Sequence, residues 1–370
     1  MKNKIPYINL VKQINQEKKE IFKSFNKLFF SGQFILGDEV DKFEKKICNF
    51  LKVKNCVALN SGTDALVLGL HLLGVKKGDE VITPPNSFIA SAASIAHLGA
   101  IPIFADVRYD QNINPYEIEK KITKNTKAIM PVHLSGHPCE MDKIKKLSIK
   151  YKIPIIEDAA QAIGTKYKNK FVGTFGEVGC FSAHPLKNLN AIGDAGYLVT
   201  NNNKLAKKAK LLRNHGIEKR NKVLTFGYVS RMDNLQASVL NIRLKKIKKI
   251  IKTRRSNAKL YFTLLQNLKK VILPIDNKFD FNTYHTFVIQ AEKRNELKSY
   301  LEKKGISTAI HYPYLIFNQK AYKNRYKQVN SNKFPISKIL SKKILTLPIN
   351  QYLTKYEIKK ICDEIIKFYK

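Results

Sequence analysis

The sequence predicts an α/β protein in two parts. Residues 1–245 read as a large domain on a doubly wound, mostly parallel central sheet, and residues 246–370 as a smaller α+β domain. Three observations carry this expectation. From Cys56 to about Thr200, short apolar runs alternate with segments of helical period, the repeated βα pattern of a parallel sheet. Glycine-rich and polar motifs fall just beyond the ends of those runs, where ligands of such sheets bind. Beyond Leu235 the alternation gives way to a long helical stretch and then isolated strand and helix signals.

In chain order, residues 12–30 carry Ile14, Ile21, Phe22 and Phe25 at helical spacing, and Phe43, Ile47 and Phe50 resume the pattern after Gly37. Between them, residues 31–37 form a glycine-bounded turn. Strands are expected at 56–59, 80–83, 101–107, 128–133 and 153–159, with helices at 63–73, 88–97 and 141–151. Two further strands are expected at 178–182 and 196–200. Residues 235–255 read as one helix joining the domains, with an apolar row through Leu240, Leu244, Ile247 and Ile251. Lys245, Lys246, Lys248, Lys249 and Lys252 form its solvated basic side. A strand at 284–290, a helix at 293–304 and an amphipathic helix at 355–369 complete the chain.

Basic residues number 67 against 29 acidic ones, a formal charge of +38. Such a balance suits nucleic acid or an anionic membrane. Here the excess is mostly lysine, runs along the whole chain and accompanies no nucleic-acid-binding motif, so no nucleic-acid partner is expected. The charge does favour a phosphate-bearing cofactor and an anionic substrate. Cys48, Cys56, Cys139, Cys180 and Cys362 show neither a CxxC pair nor metal-ligand spacing. They read as buried, reduced thiols, with no metal site. The charged start, Met1-Lys2-Asn3-Lys4-Ile5, leads into no apolar signal core. No apolar run approaches the ~18 residues of a membrane span. A soluble, cytoplasmic protein is expected, without a membrane partner.

The stretch Cys180-Phe181-Ser182-Ala183-His184-Pro185-Leu186-Lys187 sets one lysine beyond an apolar strand, and Gly193-Asp194-Ala195-Gly196 follows it. Asp158 ends the run Ile153-Pro154-Ile155-Ile156-Glu157-Asp158. Ser61-Gly62-Thr63 follows a strand and opens a helix. Pyridoxal phosphate needs three things: a lysine for its aldehyde, a carboxylate for its pyridine nitrogen, and backbone donors at a helix start for its phosphate. Lys187, Asp158 and Gly62-Thr63 supply them in a sensible order. A lysine so placed, its amine neutral, can also move protons between carbons. Gln161 lies one turn beyond Asp158, within reach of the ring hydroxyl, and Ser182 can add a hydroxyl to the phosphate. Phe88, in Pro84-Pro85-Asn86-Ser87-Phe88, either stacks on the ring or packs in the core.

With these motifs the chain resembles the DegT/DnrJ/EryC1/StrS family of pyridoxal-phosphate-dependent sugar aminotransferases, over nearly its whole length. The likeness extends through Gly78-Asp79-Glu80-Val81, Pro131-Val132-His133-Leu134-Ser135-Gly136, Leu212-Arg213-Asn214-His215-Gly216, Ser230-Arg231-Met232-Asp233-Asn234 and Ile310-His311-Tyr312-Pro313. It implies an aspartate-aminotransferase-type fold and a homodimer with sites at the subunit interface. It further implies cofactor on Lys187, Asp158 at the pyridine nitrogen, Gln161 at the ring hydroxyl, and Phe88 on the ring face. Gly62, Thr63 and Ser182 would surround the phosphate, and His311 and Tyr312 would lie near the sugar. Two positions depart from the family. Val229 stands where an asparagine reaches the partner's cofactor phosphate, and a valine side chain donates no hydrogen bond. Ala183 stands where an aromatic is common, which would widen the pocket.

The expected activity is transfer of an amino group from L-glutamate to a nucleotide-linked 3- or 4-keto-deoxysugar, feeding a surface glycan such as lipopolysaccharide. Alternatives are a sugar dehydratase or cyclitol aminotransferase on the same scaffold, or a non-catalytic regulatory protein.

Overall fold

The computed structural model describes residues 4–277 and 279–370, so Met1, Lys2 and Asn3 of the charged start lie outside the described residues. Helices α1 (Leu10–Ser31) and α2 (Asp38–Leu51) come first. The turn between them rests on Gly32, whose φ of 64° is the left-handed conformation that glycine adopts without strain.

The central sheet contains β1 (Asn55–Leu59), β2 (Glu80–Thr83), β3 (Ile101–Phe104), β4 (Thr126–Ile129), β5 (Ile156–Asp158), β6 (Val178–Ser182) and β7 (Gly196–Thr200). β3, β2 and β4 pair in parallel, as do β5 and β6, and β7 runs antiparallel to both β1 and β6. Parallel bridges from Ile129 to Ile155 and from Val132 to Asp158 join the two sets. The spatial order is therefore β1-β7-β6-β5-β4-β2-β3, with only β7 reversed. Helices α3 (Gly62–Leu72) and α4 (Ile89–His97) follow β1 and β2. Strands β1, β6 and β7 are buried almost throughout, as a sheet covered on both faces requires.

The strands expected at 101–107, 128–133 and 153–159 are shorter than the apolar runs that signalled them. Pro131 and Pro154 have no N–H to give a ladder, and beyond the strand ends the chain turns into the loops that line the cavity. The single helix expected over 235–255 is two. α5 (Asn234–Leu244) and α6 (Ile247–Leu265) are separated at Lys245-Lys246, where Lys246 sits at φ −97°, ψ −8°. The division follows burial: α5 runs through the interior with residues on every face buried, whereas α6 keeps Lys248, Lys249 and Lys252 in water.

α6 joins two cores. Its start packs Ile247 and Ile251 beside Phe43, Ile155 and Tyr197, and its end packs Tyr261 and Leu265 beside Phe287, Leu301 and Ile361. The second core covers an antiparallel sheet of β8 (Val271–Ile272), β9 (Phe287–Ala291) and β10 (Ile344–Leu347). The five cysteines are unpaired, four of them buried. Among the described residues no helix is long and apolar enough to cross a membrane.

Arg243 of α5, 2% exposed, ties three segments together. Its Nε donates to Glu17 of α1 at 2.8 Å, and one terminal nitrogen donates to the carbonyls of Asn190 and Ala191 at 2.8 and 3.0 Å. Asn190 also exchanges amide hydrogen bonds with Gln13. The loop after Lys187 is thereby fastened to α1 and α5. Breaking a buried ion pair from one side strands the other charge. Glu17→Ala should therefore lower unfolding stability by about 3–5 kcal/mol, read from urea denaturation.

Candidate active site

A cavity of about 440 Å³ opens at the carboxyl ends of β1, β5 and β6, lined by Gly62, Thr63, Phe88, Asp158, Gln161, Ser182, Lys187, His311 and Tyr312. Every site residue singled out from the sequence lies on this one surface. Parallel strands bring the segments carrying Gly62, Asp158, Ser182 and Lys187 to the same sheet edge, and His311 and Tyr312 reach it from the loop after residue 309.

Asp158 closes β5 and is buried. Its Oδ2 accepts from the Ser91 hydroxyl at 2.8 Å and its Oδ1 from the Ala160 N–H at 3.1 Å. Burial pushes its pKa up, and these donors, with the Lys187 charge, pull it back. Lys187 behaves in the opposite sense. Burial lowers its pKa to about 8, against the attraction of Asp158. The two groups thus form an acid–base pair across a confined volume.

The strand end carrying Asp158 is held from behind by Glu157, which is fully buried. Glu157 Oε1 accepts from the N–H groups of Phe175 and Gly176 at 2.6 and 2.7 Å. Its Oε2 accepts from Gly173 N–H at 2.7 Å and pairs with His133 Nε2 at 3.0 Å. His133 Nδ1 accepts from the Cys139 N–H, so the ring proton sits on Nε2 and points at Glu157. Four donors leave this carboxylate no unmet hydrogen bond.

Gly62 and Thr63 begin α3, whose first N–H groups have no intrahelical partner. A Cβ on Gly62 would stand 2.6 Å from the Ser182 Cβ, so only glycine allows this close approach of loop and strand. Gln161 accepts from the Ser135 N–H at 2.7 Å and donates from Nε2 to the Tyr312 hydroxyl at 3.3 Å. Phe88 caps α4, is 54% exposed, so it does not pack in the core, and its ring centroid lies 5.8 Å from that of Tyr312. Ala183 does not widen the pocket. It is fully buried within the main core, because strand alternation turns Ser182 to the cavity and its neighbour away. Val229 is 57% exposed and lines no part of this cavity.

Sequence reasoning missed Ser91, His285 and Tyr7, all of which line the cavity. Ser91 sits among alanines in α4, and no spacing signals a contact with residue 158. His285 is buried, and its imidazole is kept neutral by burial and by neighbouring Lys187 and Arg254.

These residues suit pyridoxal phosphate. A glycine-lined helix start can hold the phosphate, a buried carboxylate can hold the ring nitrogen, and an amine of lowered pKa can meet the aldehyde. The match to known proteins agrees. A model of the DegT/DnrJ/EryC1/StrS aminotransferase family matches residues 15–366. The chain belongs to this family.

Among its relatives is a dTDP-3-amino-3,6-dideoxy-alpha-D-galactopyranose transaminase of Aneurinibacillus thermoaerophilus, 37% identical over 98% of this chain and 99% of the relative. A pleiotropic regulatory protein of Geobacillus stearothermophilus is 35% identical over 99% of each chain. The solved structure of the S. venezuelae protein DesV superposes with a TM-score of 0.96 at 33% identity, covering 99% of this chain and 98% of that one. The Bacillus subtilis protein ntda, solved with bound cofactor PMP, gives 0.92 at 31% identity, covering 99% and 86%. The fold is that of these pyridoxal-phosphate-dependent aminotransferases, and this family member is an aminotransferase that uses the same cofactor.

Only a neutral amine attacks an aldehyde. Cofactor uptake by cofactor-free protein should therefore accelerate as pH rises through about 8. Asp158→Asn removes the charge that favours protonated Lys187, so the midpoint should move to lower pH. Stopped-flow absorbance measures both.

Proposed function

We propose that this aminotransferase moves an amino group from L-glutamate to a nucleotide-linked 3- or 4-keto-deoxysugar, for a surface glycan such as lipopolysaccharide. The observation that carries the reading is that Lys187 and Asp158 line one cavity whose remaining walls, apart from Asp194, are apolar or neutral polar side chains. The sugar-transaminase relative supports the substrate class. A purely regulatory role would leave this acid–base pair without work.

When bound, the cofactor supplies an electron-withdrawing ring that stabilises negative charge on the carbon next to the transferred nitrogen. In this reading Asp158 would hold the ring nitrogen's proton by charge. Gln161, oriented by the Ser135 N–H, would offer its Nε2 to the ring hydroxyl. Phe88 would cover one ring face, and Gly62, Thr63 and Ser182 would hold the phosphate. The Lys187 amine would take the proton from the carbon bearing the transferred nitrogen, and His311 and Tyr312 would face the sugar. The amino donor and the sugar use the site in turn.

The protein is further proposed to be cytoplasmic and to have two domains, at 1–245 and 246–370. It is also proposed to work as a homodimer with sites at the subunit interface. Support for the dimer is an apolar face on α1 and its following turn, where Phe22, Phe29, Phe30, Phe34 and Ile35 are 44–94% exposed.

The test is a panel of dTDP- and UDP-linked ketosugars with L-glutamate, reading 2-oxoglutarate release. Wild type should turn over at least one of them, and Lys187→Ala none. Bleaching of the visible band by glutamate with no ketosugar accepted would refute the substrate assignment. Ser91→Ala removes a donor to the charged form of Asp158, so the acid limb of the pH–rate profile should move to higher pH. Phe30→Glu should convert the dimer to monomer in light scattering.

A further inference from the structure

The N-terminal arm before α1 enters the cavity. Its backbone is clasped by the C-terminal half of the chain: Ile5 N–H donates to Gly305 O at 2.9 Å, and Ser307 N–H donates to Ile5 O at 3.0 Å. Two residues on, Asn350 Nδ2 donates to Tyr7 O at 3.3 Å. Tyr7 and Ile8 then line the cavity. A tyrosine within ten residues of a chain start is by default a surface residue. Here the clasp holds it inward.

Tyr7 ends a continuous row of rings. Its centroid lies 5.8 Å from that of His311, His311 lies 5.2 Å from Tyr312, and Tyr312 lies 5.8 Å from Phe88. At the Phe88 end, Tyr312 accepts from Gln161 Nε2, and Ser91, three residues past Phe88, donates to Asp158, so this end holds the residues suited to the cofactor. Tyr7 is the far end of the wall, past His311. The Nδ1 of His311, which also lines the cavity, is engaged by Thr346 Oγ1 at 3.0 Å. Burial and the nearby Tyr312 push the Tyr7 phenol well above its ordinary pKa, so it stays a proton donor throughout the working range. A flat apolar face with one hydroxyl donor at its edge fits a pyranose, which has C–H groups on its faces and hydroxyls at its rim.

We propose that Tyr7 determines sugar specificity, its ring packing on the pyranose of the nucleotide-linked ketosugar and its hydroxyl donating to a sugar oxygen. This rests on the ketosugar reading above. The arm is then part of the acceptor site and is not needed by the smaller amino donor.

The experiment compares wild-type, Tyr7→Phe and Tyr7→Ala holoenzyme with whichever dTDP- or UDP-linked ketosugar the wild type accepts. Losing one neutral hydrogen bond should raise KM for that ketosugar about five- to tenfold in Tyr7→Phe, and losing the ring should raise it further in Tyr7→Ala. The calorimetric Kd of the aminated product should rise by a similar factor. Bleaching of the holoenzyme by L-glutamate and the melting temperature of Tyr7→Phe should stay at wild-type values. An unchanged ketosugar KM would overturn the assignment. Equal slowing of glutamate bleaching would also overturn it, because the arm would then act on the whole site. If the wild type accepts no nucleotide-linked ketosugar, the substrate reading fails and this inference fails with it. If the wild type accepts one and Tyr7→Phe matches it, only the Tyr7 assignment fails.

Discussion

Two opposite charges facing one confined cavity constrain most of what surrounds them. Burial makes the carboxylate of Asp158 harder to ionise and the ammonium of Lys187 easier to discharge. Each charge partly relieves the other, which keeps one group a usable anion and the other a usable amine near neutral pH. Such a pair works only if both members are held in place, since a buried charge that loses its partner costs several kcal/mol. The neighbouring structure reads as the apparatus for holding them.

On the carboxylate side, the fixed points are backbone and hydroxyl donors. Ser91 and Ala160 take the two oxygens of Asp158, while Glu157, one residue earlier, points to the opposite side of the strand and gathers four donors from the 173–176 turn and His133. Strand alternation makes this division possible: one face of β5 serves the cavity and the other anchors the strand. On the amine side, the loop after Lys187 is fastened from behind by Arg243 through the carbonyls of Asn190 and Ala191. That guanidinium is itself neutralised by Glu17 of α1. A helix far from the cavity in sequence thus helps to set where the reactive amine stands.

The extreme positive charge has a modest structural meaning. The basic side of α6 is solvated, as its spacing indicated, and the interior cations have specific partners: Glu17 for Arg243, Glu44 for Arg213, and carbonyls for Arg254. Around the cavity the excess charge acts through proximity. Lys187 and Arg254 keep the imidazole of His285 neutral, so histidines there serve as uncharged polar groups.

Several features were legible because they depend on local chemistry. The βα alternation from Cys56 to Thr200 follows from side-chain period, and the roles open to Gly62, Asp158 and Lys187 follow from their positions at or beyond strand ends. The break at Lys245-Lys246 was hidden because both halves keep a helical period, and only a change in the surroundings separates them. Ala183 was misjudged because a residue's identity does not show which face of a strand it occupies until the register is known. Ser91, His285 and Tyr7 had no signal at all, since each meets the cavity through a contact of long sequence separation. By itself the sequence determined the fold class, the family and the chemical types available to the site. The tertiary structure alone decided which of those groups share one cavity and with what pKa, because burial and proximity arise only when distant strand ends and the N-terminal arm come together.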